Sequence, residues 1–136
     1  MNRILLKRLY SKSINNIKNN PIMITAYDAP TARLVANSGA DLILVGDSLS
    51  MVVAGENDTK KATLEQMIYH CSIVSKAVPE SFIIGDMPKG SYEICKKQAK
   101  KNAFLLIKQG NVDAVKIEGQ PKIAKALVEA GIPTMG

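Results

Sequence analysis

Asp28, Asp47, Asp86 and Glu118 each close a short apolar run, in the stretches TAYD, LVGD, IIGD and VKIE. If the runs are strands of one parallel sheet, their C-terminal ends share an edge, and that edge is where barrel and doubly wound folds place their chemistry. Four carboxylates then converge on one mouth. Like charges so close raise one another's pKa unless a cation offsets them, so the economical partner is a hard divalent metal with oxygen ligands, Mg²⁺ first. A zinc site is disfavoured, because the only histidine, His70, falls within a helical stretch and no cysteine accompanies the acids. The competing reading makes each Asp the N-cap of the helix that follows. It is weakest for Asp47 and Asp86, which follow Gly, and for Glu118, which shares its strand end with Lys116.

Lys116 and Glu118 stand two apart, so in a strand both side chains point the same way. Flanked by Val115 and Ile117, Lys116 cannot be a freely solvated surface lysine, and a buried ammonium needs an anion, which a metal-bound acid substrate would supply. Asp47 and Ser48 form a Gly-Asp-Ser turn that reads either as a phosphate cradle or as a plain turn. Neither GxGxxG nor GxxxxGK[ST] occurs, so nucleotide binding has no motif behind it. His70 reads as a satisfied helix histidine, Cys71 and Cys95 as helix packing, Met51, Met67 and Met87 as core, and Lys96, Lys97, Lys100, Lys101 and Lys108 as a solvated helix face.

The elements that must position these residues follow a repeating unit of β-rich run and helix-period segment. Residues 22–25, 42–45, 82–84 and 112–117 read as strands, with a fifth beginning at 132–135. Helices are expected over 29–37, 63–77, 92–109 and 122–130, with Thr63 and Gln66 at capping-box spacing and Pro79 as a stop signal. Such alternation implies βαβ crossovers in an α/β fold, either a doubly wound sheet or part of a (βα)8 barrel.

The chain has 136 residues, 46% of them hydrophobic and 22% charged, enough for one domain with a buried core. No apolar run approaches the roughly 20 residues of a membrane span. The net charge of +6 is concentrated in Arg3, Lys7, Arg8, Lys12 and Lys18, ahead of the first acid; removing these five of 18 basic residues leaves 13 against 12 acidic. The body is therefore electrically ordinary, and with aromatics at 4% and no Trp it is not the expected reader of DNA or RNA. Residues 1–20 form an acid-free leader, read as a basic N-terminal helix of a cytoplasmic protein or as a presequence for the mitochondrial matrix. Two cysteines without CxxC or CxxH spacing fit reduced thiols.

The segments ITAYDAPTARL, ADLILVGDSLSMVVAG, TLEQMIYH, IIGDMPKGSYE, DAVKIEG and GIPTMG, in this order and spacing, resemble the ketopantoate (3-methyl-2-oxobutanoate) hydroxymethyltransferases of pantothenate synthesis over residues 21–136. The resemblance implies a TIM barrel, of which this chain would be the N-terminal half: about four βα units and the start of a fifth strand. It implies that Mg²⁺ is held by Asp47, Asp86 and Glu118, and that the 2-oxo acid is contacted by Asp47, Ser48, Asp86 and Lys116. The implied reaction carries a hydroxymethyl group from 5,10-methylenetetrahydrofolate to 3-methyl-2-oxobutanoate, giving 2-dehydropantoate. In the implied chemistry the metal would serve as a Lewis acid that stabilises an enolate of the 2-oxo acid. The family's catalytic base falls beyond Gly136, so no catalytic base is expected within these residues, and the complete enzyme is expected to be a homo-oligomer.

Departures from the family pattern carry expectations of their own. Ser50 stands where Gly is usual, which strains the turn if a positive φ is needed there. Lys60-Lys61-Ala62 and Lys89 replace residues that are usually apolar. Because barrels of this kind run to about 250 residues, the chain looks truncated and is expected to be inactive alone. The alternative is a catalytically silent half-barrel that binds metal or 2-oxo acid and acts only with a partner chain; a doubly wound nucleotide-binding domain is the third reading.

Overall fold

Period-2 alternation sets the sheet. In β2 (Leu42–Val45), Ile43 and Val45 join the core between sheet and helices, while Leu42 and Leu44 face the other way. The same division runs through β3 (Phe82–Asp86) and β4 (Ala114–Lys116), where Ile83 and Val115 face the helices and Phe82, Ile84 and Ala114 the opposite side. The structure is a computed structural model and describes residues 20–136. The basic leader lies outside the described residues except for Asn20.

Five strands form one sheet in the order β1 (Met23–Thr25), β2, β3, β4, β5 (Thr134–Met135), every pair parallel. Sequence order equals spatial order, with no reversal. A doubly wound sheet must reverse at its switch point, so the topology selects the other alternative: the chain is the first half of a (βα)8 barrel. Four helices return the chain from one strand to the next: α1 (Ala29–Asn37), α3 (Leu64–Ala77), α4 (Lys96–Gly110) and α5 (Pro121–Glu129). A short α2 (Leu49–Val52) and a 3₁₀ turn (Thr59–Lys61) lie in the β2–α3 connection.

The capping box is present in full: Thr63 Oγ1 accepts from the Gln66 amide and Gln66 Oε1 from that of Thr63. Expected and observed helices agree within two residues at each end, with one exception. The third long helix starts at Lys96 rather than Tyr92, because residues 88–95 are spent on turns: Ser91 N–H donates to Pro88 O, and Glu93 Oε2 accepts from Gly90 N–H at 2.7 Å. Cys95 is the N-cap of this helix and is exposed, so it is not a packing residue. Cys71 is one, wedged where α3 meets β3 and α4. A Cβ on Gly110 would lie 2.9 Å from Cys71 Cβ, and one on Gly85 3.1 Å from its Sγ, so this three-way contact requires both glycines.

At the start of β4, Asp113 ties the strand to its neighbour. Its Oδ2 accepts from Ile83 N–H at 2.9 Å and its own N–H donates to Ile83 O at 2.8 Å. Met67 and Met87 are core as expected, whereas Met51, on the short α2, is 45% exposed. Among the described residues no helix is long and apolar enough to cross a membrane.

Candidate active site

Asp86 is the last residue of β3 and Lys116 the last of β4, and the register of the two strands pairs them directly. Two residues beyond Ile84 and Ala114, both side chains emerge on the face away from the helices, above an apolar layer that includes Leu42, Leu44, Phe82 and Met135. Lys116 Nζ lies 2.9 Å from Asp86 Oδ2 and 2.7 Å from Glu118 Oε1. The ammonium is thus shared between a carboxylate that is 6% exposed and one that is 75% exposed. The anion that the sequence required for Lys116 is supplied by the chain itself.

Asp47 follows β2, one strand over. Its backbone N–H approaches Asp86 Oδ2 at 3.4 Å, at the long end for a hydrogen bond, and its carboxylate is near enough to act on Asp86 electrostatically. Burial pushes the Asp86 carboxyl above the usual aspartate range; Lys116 opposes the shift and the Asp47 charge adds to it. Burial also disfavours the Lys116 ammonium, but its bonds to Glu118 and Asp86 outweigh that and raise it. The two shifts do not match because one cation serves two carboxylates: Lys116 gains from both, whereas the buried Asp86 holds only part of it. Glu118, at the surface, is lowered by the same ammonium.

Tyrosines that the sequence reading did not single out hold this edge together. Tyr27 Oη lies 2.8 Å from Ser48 Oγ, and the Tyr27 carbonyl is 2.7 Å from His70 Nδ1, so His70 is the satisfied helix histidine expected of it. Tyr92, buried in the β3–α4 connection, accepts from Glu118 N–H at 3.2 Å and donates to Glu118 O at 3.3 Å. Both links join residues more than 20 positions apart, which no local pattern reveals.

Of the four strand-end acids, Asp28 is not part of the cluster. Its Oδ1 accepts from Thr31 N–H at 2.8 Å and Thr31 Oγ1 at 2.6 Å, and the hydroxyl bond holds its carboxyl below the usual range. Asp28 is the N-cap of α1, as the competing reading had it. Ser50 also departs from expectation. It sits within α2, Asn111 is the one non-glycine at positive φ among the described residues, and the buried Ser50 hydroxyl donates to Asp58 O at 2.8 Å. The serine relieves a polar-group problem of its own and strains nothing. Two of the three unusual lysines are accommodated in ion pairs: Lys60 pairs with Asp58 at 3.0 Å and Lys61 with Glu56 at 2.6 Å.

For a hard cation, the chemistry of the donors fits: Asp47, Asp86 and Glu118 offer carboxylate oxygens only. Their present arrangement is closed around Lys116 instead. Among the described residues, no three His, Cys, Asp or Glu side chains are gathered about one point. Asp47 neighbours Asp86, Asp86 and Glu118 meet through the ammonium, and Glu118, being exposed, can turn without breaking a buried contact.

The fold is shared with enzymes of the phosphoenolpyruvate mutase/isocitrate lyase superfamily. A 2,3-dimethylmalate lyase matches 97% of this chain and 50% of its own with a TM-score of 0.65 at 18% identity. An oxaloacetate acetylhydrolase matches 95% of this chain and 50% of its own, at 0.66 and 14%. Sequence relatives are much nearer. The 3-methyl-2-oxobutanoate hydroxymethyltransferase of Ignicoccus hospitalis is 44% identical over the whole chain and 52% of its own length. That of a Thermoanaerobacter species is 53% identical over 83% of this chain and 42% of its own. The chain therefore spans about half the length of these relatives. A sequence model of the ketopantoate hydroxymethyltransferase family matches residues 7–136, which includes every residue of the Asp47, Asp86, Lys116 and Glu118 edge, and on that match the chain belongs to the ketopantoate hydroxymethyltransferase family.

Proposed function

We propose that these residues form the metal- and 2-oxo-acid-binding half of an enzyme that transfers a hydroxymethyl group from 5,10-methylenetetrahydrofolate to 3-methyl-2-oxobutanoate, yielding 2-dehydropantoate for pantothenate and coenzyme A synthesis. The observation that carries this reading is the half-buried Lys116 ammonium held between Asp86 and Glu118, beside Asp47, at the C-terminal edge of the strands. In the proposal Asp47, Asp86 and Glu118 hold Mg²⁺, which when bound would supply Lewis-acid polarisation of the 2-oxo acid.

The chain's own residues do the rest of the binding. The Lys116 ammonium pairs with the acid's carboxylate through a charge-assisted hydrogen bond in a half-buried setting. The Ser48 hydroxyl, fixed by Tyr27, and the Asp47 and Asp86 carboxylates orient the same ligand. Proton removal from C3 needs a base within about 3 Å. Asp28 is occupied as a helix cap, and the other strand-end acids are committed to the cation. The 136 residues are therefore proposed to be inactive alone. The silent half-barrel remains the second reading, favoured by the same shortage of a base.

Co-expression with the remaining portion of the Thermoanaerobacter relative tests the choice. The enzyme reading expects 2-dehydropantoate to form only when both pieces are present, and to be abolished by Asp86→Ala in this chain. A folded complex without turnover would favour the silent half-barrel.

A further inference from the structure

The position of Lys116 implies more than substrate binding. Its ammonium stands 2.9 Å from Asp86 Oδ2 and 2.7 Å from Glu118 Oε1, between two of the three carboxylates assigned to the metal. A lysine ammonium and a divalent ion on the same two carboxylates repel one another in this partly buried setting, so each weakens the other's hold. We propose that Lys116 competes with the divalent metal for Asp86 and Glu118 and leaves them for the carboxylate of the incoming 2-oxo acid, so that metal and acid bind cooperatively. This inference rests on the metal-site reading above and adds to it a direction: the lysine weakens metal binding until the acid arrives.

The geometry allows the exchange. Lys116 and Asp86 are register partners on neighbouring strands, so the ammonium needs only to swing on its flexible stem while the backbone stays fixed. Glu118 is held by its main chain through Tyr92, not by its side chain, which is exposed and bonded to Lys116. An acid that gives the ammonium a new partner removes its competition with the metal, and by linkage each ligand must strengthen the other by the same factor.

Mn²⁺ serves as a probe, being a hard oxygen-seeking divalent ion whose free hydrated form is counted by electron paramagnetic resonance without any activity assay. Titrated into the full 136-residue chain without acid, it should bind Lys116→Met about tenfold or more tightly than the unsubstituted chain, because a competing positive charge has gone. Circular dichroism checks that the variant folds. Should it not, Lys116→Gln, which keeps a donor toward Asp86 without the charge, carries the same expectation. Equal or weaker binding by the folded variant, with the unsubstituted chain binding Mn²⁺ and Asp86→Asn losing it, overturns the inference and leaves the metal site standing. Tightening that survives in Asp86→Asn/Lys116→Met puts the ion elsewhere and also overturns it. If neither chain binds Mn²⁺, the metal-site reading fails and the inference falls with it.

Discussion

Replacing Lys116 by Met should destabilise the chain by about 2–3 kcal/mol at pH 7. Breaking a fully buried ion pair by removing one partner costs roughly 3–5 kcal/mol, because the other charge stays buried alone. Asp86, 6% exposed, is such a charge, but the Lys116 side chain is 20% exposed and water can enter where it stood, which lowers the figure. The Glu118 bond adds little, since a pair with a partner 75% exposed is worth about 0–1 kcal/mol. Urea unfolding followed by circular dichroism reads the difference. The pH dependence has a fixed sign. Burial already raises the Asp86 carboxyl, so folding favours its protonated form, and losing Lys116 removes the main opposing influence and raises it further. The deficit of the variant is therefore fully present above the Asp86 pKa of the variant and shrinks as pH falls through it, once the carboxyl takes up a proton. Asp86→Asn in the same background should recover most of the loss at pH 7. A Lys116→Met chain as stable as its parent at pH 7, or a deficit that grows on acidification, would refute the reasoning.

The other expectations concern the frame. Ellman's reagent should titrate Cys95 alone in the native chain and both thiols in denaturant, because Cys71 is buried and burial, with the Asp86 charge adding to it, pushes its thiol far up. Gly110→Ala should cost about 1–3 kcal/mol by urea unfolding through overpacking, as its new methyl would stand 2.9 Å from Cys71 Cβ, a backbone-anchored atom that cannot swing away. Sedimentation should show concentration-dependent self-association that lessens with Ile24→Lys, because β1 is a sheet edge with Ile22, Met23 and Ile24 all exposed.

The alternation of strand and helix was legible because each unit carries its own punctuation, such as Gly39 after α1 and the Thr63–Gln66 capping box before α3. Two-residue spacing likewise sufficed to put Lys116 and Glu118 on one side, where they meet. What local patterns lacked was the choice between like-looking residues. Asp28 and Asp86 both end apolar runs, yet Asp28 is followed by Ala-Pro-Thr, with Pro30 in the first turn and Thr31 at capping distance, and it turns into its own helix. The early start expected for α4 fails for a related reason: the helix-compatible residues 92–95 are drawn into turns that let Tyr92 reach Glu118, 26 positions away. Contacts of that range, like Tyr27 with Ser48, depend on strand register, which the alternating pattern constrains but a single strand does not display.

The claim that Asp47, Asp86 and Glu118 form one metal-dependent acid site is tested most directly by calorimetry of the chain with Mg²⁺ and 3-methyl-2-oxobutanoate, before and after the double substitution Asp47→Ala/Asp86→Ala. The predicted result is binding of the acid that requires Mg²⁺ and disappears in the double variant while the fold persists. Unchanged metal affinity in that variant would contradict the assignment.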